Sequence, residues 1–124
     1  MIDSAFNSET GLLETKLYGS ITKSEVIEYI STLRDPENDY PGRLKIITDA
    51  TEAEMGFSRE ELGEVLKTVD DHPGMYDSVT DAMIMSNPRA TALSMILELF
   101  TKKSPYRMKI FSTREAALEW LSKQ

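Results

Sequence analysis

Apolar residues recur along this chain in two rhythms. Short runs with a period of two, or with no polar break, alternate with longer stretches in which apolar positions return every three to four residues. The first clear short run is Leu12 to Ser20, opened by Gly11. Its Leu13, Thr15 and Leu17 share one face while Glu14, Lys16 and Tyr18 take the other, which predicts a half-exposed strand. Ile2 to Phe6 predicts a short edge strand, hairpinned to it through NSETG. Thr22 with Glu25 then makes a capping box, Val26, Ile30 and Leu33 follow at helical spacing, and Pro36 stops the helix. DPENDYPG reads as a loop, and Arg43 to Thr48, with Leu44, Ile46 and Ile47, as the next strand.

The same alternation continues to the end. Asp49 to Phe57 is expected to be a long connection leading to a second capping box, Ser58 with Glu61. Leu62, Val65, Leu66 and Val69 then form an i, i+3, i+4, i+7 stripe. DDHPGMYDSVT reads as a loop, and Ala82 to Met85, apolar throughout, as a central strand covered on both faces. Asn87 and Pro88 are an N-cap and a first-turn proline, and the helix they open, 88–102, carries Leu93, Ile96, Leu97 and Phe100 inward. Arg107 to Phe111 is the last strand. Ser112 with Glu115 suggests a third capping box, before a final helix bearing Ala116, Ala117, Trp120 and Leu121.

The order (β)βαβαβαβα places the chain in the α/β class. It predicts one small mixed, mainly parallel sheet of four to five strands flanked by four helices, with right-handed crossovers. At 124 residues the chain fits a single domain, 1–124. It has no cysteine, which removes disulfides, thiolate metal sites and thiol catalysis. The N-terminus lacks the basic start and apolar core of a signal peptide, and the most apolar run, Ala92 to Phe100, is too short to span a membrane. A cytoplasmic protein is expected.

The net charge of −7 disfavours nucleic acid as a partner. That charge is uneven: residues 1–81 hold 7 basic and 18 acidic side chains (net −11), whereas residues 82–124 hold 7 and 3 (net +4). Catalytic signatures are thin. There is no P-loop, no dinucleotide glycine fingerprint and no G-x-S-x-G, and the lone His72 sits on a turn beside Asp70 and Asp71 without a ligand set of defined geometry. The chain is expected to be neither an enzyme nor a metalloprotein, and to use no cofactor.

Several segments together resemble the STAS-like (SpoIIAA-like) family of small bacterial proteins. FSTREAALEWL, Phe111 to Leu121, is similar to that family's last strand-to-helix turn, and GLLETKLYGSIT to its opening strand. DAT, Asp49 to Thr51, falls where related domains often carry Asp-x-Ser. The family is related to anti-sigma factor antagonists and compared with CRAL-TRIO lipid-binding domains. The resemblance implies a non-catalytic interaction or regulatory module whose protein partner is a regulatory kinase. It also implies a phosphoacceptor serine at the start of the helix after the central strand. Ser58 in MGFSREEL takes that position, although Phe57 stands where an acidic residue is usual and Arg59 follows. A response-regulator receiver shares the alternation but needs a pair of acids where this chain has Tyr18, Gly19 and Ser20.

In open parallel sheets ligands collect at the carboxyl ends of strands. Asp49, Thr51, Met55, Phe57, Ser58, Ser86 and Asn87 are therefore the candidate partner- or ligand-binding residues. The competing structural roles are N-capping for Ser58, Asn87 and Ser112, and a hydrophobic staple onto Leu62 for Phe57. The alternative function is a carrier or sensor of an apolar, lipid-like or anionic small molecule. Met83, Met85 and Met108 on strands, with Leu97 on the helix 88–102, would line its pocket. A homodimer is compatible with either reading.

Overall fold

Asn7 turns the chain back on itself. Its side-chain oxygen accepts the backbone N–H groups of Glu9 (3.0 Å) and Thr10 (3.4 Å), and Gly11 closes the turn at φ +73°, a backbone region that side chains with a Cβ rarely enter. The strands so joined, β1 (Ile2–Asn7) and β2 (Leu12–Ile21), pair antiparallel, with Ile2 opposite Leu17. The hairpin expected from NSETG is present, with β1 at the edge of the sheet. The computed structural model describes residues 1–33, 35, 37, 38, 40–56, 58, 60, 61, 63–65, 67, 76–86 and 106–124, with the Met55 side chain left aside.

After β2 the capping box at Thr22 forms as the sequence predicts. Glu25 N–H donates to Thr22 Oγ1 at 3.2 Å, and Thr22 N–H donates to Glu25 Oε1 at 3.3 Å. The N-terminal helix, Lys23–Leu33, packs Val26 on Leu17 and Ile21, and buries Leu33 with Leu13, Leu44 and Ile46. Three further strands follow: β3 (Arg43–Met55), β4 (Ser78–Ile84) and β5 (Tyr106–Phe111). All three are parallel to β2, and the sheet order is β1-β2-β3-β4-β5.

That consecutive order decides where the helices go. Right-handed crossovers between parallel strands laid down one beside the next all fall on one face. The N-terminal helix, between β2 and β3, lies on that face. The C-terminal helix, Arg114–Ser122, follows β5. It packs on the opposite face, burying Ala117 and Leu121 against Ile47, Ala82 and Ile84. Trp120 and Phe111 tilt against each other beside them, with ring centroids 5.6 Å apart.

Two expectations are corrected by β3 and β4. Asp49 to Phe57 is not a loop for most of its length, because β3 runs on to Met55 and pairs with Tyr18 to Ile21 of β2. Alternation hid this. Lys16 pairs with Asp49 but Tyr18 with Glu52, so Leu17 alone stands against both Ala50 and Thr51. The extra residue is a bulge that resets the inward face, and Ala50 and Ala53, three apart, are both buried. Likewise β4 begins at Ser78 and not at Ala82, which turns the supposed loop residues Thr80 and Asp81 into buried strand positions. A smaller correction concerns the last helix. Thr113 is its N-cap in place of Ser112, its Oγ1 accepting from Ala116 N–H at 3.2 Å.

Candidate functional site

The carboxyl ends of β2 and β3 bring two helix starts side by side. Ser58 and Glu61 form the predicted capping box, with Glu61 N–H donating to Ser58 Oγ and Ser58 N–H to Glu61 Oε1, both at 3.2 Å. Residues 60, 61, 63–65 and 67 are helical, and Val65 is buried. Lys23, in the first turn of the N-terminal helix, reaches Glu64 at 2.5 Å and ties the two starts together. Ser58 itself is exposed.

Gly56 makes this approach possible. Its N–H donates to Ile21 O at 2.8 Å, and a Cβ there would run into Ser20 Oγ and stand 3.1 Å from Ile21 O. The serine hydroxyl can rotate away but the carbonyl cannot. Gly56→Ala is therefore expected to lower stability by about 1–2 kcal/mol in urea unfolding, and a loss under about 0.3 kcal/mol would show that the backbone yields there.

Asp49 and Thr51 stand on the outward stretch of β3, where Thr51 donates to Asp49 Oδ1 from its N–H (3.0 Å) and its hydroxyl (2.7 Å). Partial burial works to raise the Asp49 pKa, but these two bonds and the nearby Lys16 and Arg114 outweigh it and hold the carboxyl below its ordinary value. Ser86, after β4, donates its hydroxyl to Thr51 O at 3.4 Å. The three are thus linked to one another at the edge. Neighbouring charges are largely matched, Lys16 with Glu52 at 2.7 Å and Arg114 with Glu14 at 2.8 Å. At the helix starts Glu25 pairs with the N-terminal ammonium at 2.9 Å and Glu64 with Lys23.

Met85 belongs to the core. With Met83 and Met108 it packs against Leu17, Ile21, Ala50 and Ala53. Phe57, Asn87, Leu97, His72 and the Met55 side chain lie outside the described residues. Among the described residues no group of three or more His, Asp or Glu is placed to hold a metal, and no helix is long and apolar enough to cross a membrane.

The sequence reading missed a buried polar network on the face of the N-terminal helix. Asp81, in the middle of β4, is only 2% exposed. Its Oδ1 accepts from Thr48 Oγ1–H at 2.7 Å and its Oδ2 from Tyr106 O–H at 2.8 Å. Burial pushes the Asp81 carboxyl up to about 6, against the pull of those two hydroxyls. Burial, then the Asp81 charge, likewise raises Tyr106 well above its ordinary value. Tyr29, bonded to Thr15 Oγ1 at 2.8 Å, is raised for the same two reasons. A signal for the network was available. Val79, Asp81, Met83 and Met85 alternate inward, so the aspartate occupies a core position of an otherwise apolar strand.

A five-stranded sheet in consecutive order, antiparallel only at its first strand, is the arrangement to compare. Among solved structures, the chain is similar to an uncharacterised protein of the DUF3478 family from Shewanella loihica PV-4, described as having a SpoIIAA-like fold. The TM-score is 0.62 at 19% identity, over 98% of this chain and 92% of that one. This chain has the SpoIIAA-like fold. No protein-family model and no curated protein matches the sequence. Ser58 lies at the start of the helix that follows β3, the central strand.

Proposed function

We propose that this chain is a non-catalytic, STAS-like interaction module that docks a protein partner across the paired helix starts at Thr22 and Ser58, with Ser58 as its phosphorylation switch. The observation that carries this reading is the exposed Ser58 hydroxyl, held at a helix N-terminus by a capping bond with Glu61 N–H. The helix dipole favours added negative charge there, while Glu61 Oε1, already on Ser58 N–H, would be repelled. A phosphate would therefore reorganise the capping box and change the charge of the surface without entering the core. Glu61, beside Ser58, adds a carboxylate to that surface that suits a partner with basic side chains.

Ser58→Asp and Ser58→Asn form the matched test, since both side chains cap a helix well and differ only in charge. Each is expected to melt within about 2 °C of the wild type. Quantitative capture from an extract of the native host should then show one specific protein retained by the wild type and Ser58→Asn but reduced at least about fivefold by Ser58→Asp. Equal retention by all three removes the switch. No protein enriched above an unrelated bait of equal charge removes the module.

A further inference from the structure

The opposite end of the sheet carries a second feature. At the amino ends of β3, β4 and β5 a groove of about 350 Å³ opens on the face covered by the C-terminal helix. Arg43, Lys45 and Arg107 line it with Asp77, Ser78 and Thr80. The register explains why they converge. Lys45, Thr80 and Arg107 are direct partners across three adjacent strands and point to the same face, with the threonine between the two cations.

Among the described residues, Arg43, Lys45 and Arg107 make no ion pair. Nor do they cap the helix that ends above them. Its last carbonyls are already served by its own tail, Trp120 O by Lys123 N–H (3.1 Å) and Gln124 Nε2–H (3.1 Å), and Leu121 O by Gln124 N–H (3.2 Å). Thr80 is 7% exposed and lines the groove between Lys45 and Arg107. Two cations set side by side across the strands, with a third at the same end, mark a place for an anion.

We infer that this groove binds a small phosphomonoester, with Lys45, Arg107 and Arg43 around the phosphate and the Thr80 hydroxyl donating to one of its oxygens. Charge balance favours that class. Among the lining side chains, three cations face one carboxylate, Asp77, a surplus of two positive charges in a chain of net −7 that a phosphate dianion offsets. Guanidinium forks and a hydroxyl match the several oxygens of a phosphate better than one carboxylate. Asp77, exposed at the rim beside Gly42, is placed to accept from a hydroxyl on the rest of the molecule. The groove lies at the other end of the strands from Ser58, so the inference stands or falls independently of the proposed switch.

The test is calorimetric titration of the full chain with inorganic phosphate, glucose 6-phosphate and succinate at constant ionic strength. Saturable binding of glucose 6-phosphate is expected, tighter than inorganic phosphate, with succinate at least about tenfold weaker than either. Arg107→Gln and Lys45→Gln should each weaken it by about tenfold, and Thr80→Val by about threefold to tenfold. Melting curves identify any variant that fails to fold, and Arg43→Gln, at an exposed position, provides a second variant on the same groove. Inorganic phosphate binding as tightly as the sugar phosphate would assign the site to the free ion and overturn the monoester. No saturation by about 20 mM, or equal affinity in wild type and both Gln variants, would overturn the site altogether.

Discussion

Lowering the pH from 7 to 5 is expected to stabilise the wild-type protein, and Asp81→Asn is expected to abolish the gain. The sign follows from burial. In the folded chain the Asp81 carboxyl titrates at about 6, whereas in the unfolded chain it returns to 3.8. Between those values the folded state holds a proton that the unfolded state has released, so stability falls as pH rises through the window and is level above it. The whole step is on the order of 3 kcal/mol. The part between pH 5 and 7 is roughly 1 kcal/mol, or about 3–5 °C in Tm. Glu14, Glu25 and Asp49, whose pKa values are lowered in the folded state, work the other way and erode stability as the pH drops below about 4.5.

Asparagine keeps the shape of Asp81 and removes its charge. One amide oxygen accepts from one hydroxyl and the amide N–H donates to the other, so Thr48 and Tyr106 remain partnered. At pH 7 the variant should match or exceed the wild type, with a Tm that changes by less than about 1 °C between pH 5 and 7. Tyr106→Phe should do the reverse, costing about 2–3 kcal/mol at pH 7 by leaving Oδ2 of a buried carboxylate unpartnered, and less at pH 5. A wild-type profile that is flat from pH 5 to 7 would mean that water reaches Asp81.

Leu121→Ala carries the other large expected effect, a loss of about 3–4 kcal/mol in urea unfolding. Leu121 is 2% exposed and, with Ala117, forms the contact of the C-terminal helix with Ile47, Ala82 and Ile84. Sheet atoms beneath it are fixed by the ladder and cannot close the space. Leu118, on the same helix but 37% exposed, gives the control, with Leu118→Ala expected within about 0.5 kcal/mol of wild type. Trp120, the sole tryptophan, packs on Phe111, so its emission reports whether the helix stays seated. A Leu121→Ala protein as stable as Leu118→Ala would mean that the helix is held by something other than this seam.

What could be read from the sequence was what local chemistry dictates. The capping boxes at Thr22 and Ser58 are fixed by hydroxyl and carboxylate three residues apart, and both form as expected. The alternation of Leu13, Thr15 and Leu17 gave the face of β2. Misreadings arose where a partner strand overrode the local signal. The bulge opposite Leu17 moved Ala53 inward against the alternation, so a strand looked like a loop. Asp81 read as a turn residue because its justification, hydroxyls from Thr48 and Tyr106, lies 33 and 25 residues away. Among the candidate site residues, Asp49, Thr51 and Ser86 do meet at the carboxyl edge, whereas Met85 is part of the core. The basic groove escaped notice because Lys45, Thr80 and Arg107 become neighbours only through register.

The consecutive strand order has a consequence for how the chain assembles. β1 and β2 are joined by a tight turn, so their pairing is the most local in the sheet. Each later strand then joins the one made just before it, so the sheet grows at a single advancing edge. No strand has to be inserted between two that are already paired, a step that slows many parallel sheets of other topology. The C-terminal helix follows β5 in the chain and covers the opposite face of the sheet. A sheet from which that helix is lifted would therefore keep strands β1 to β5 while displaying Ile47, Ala82 and Ile84 to any apolar surface nearby.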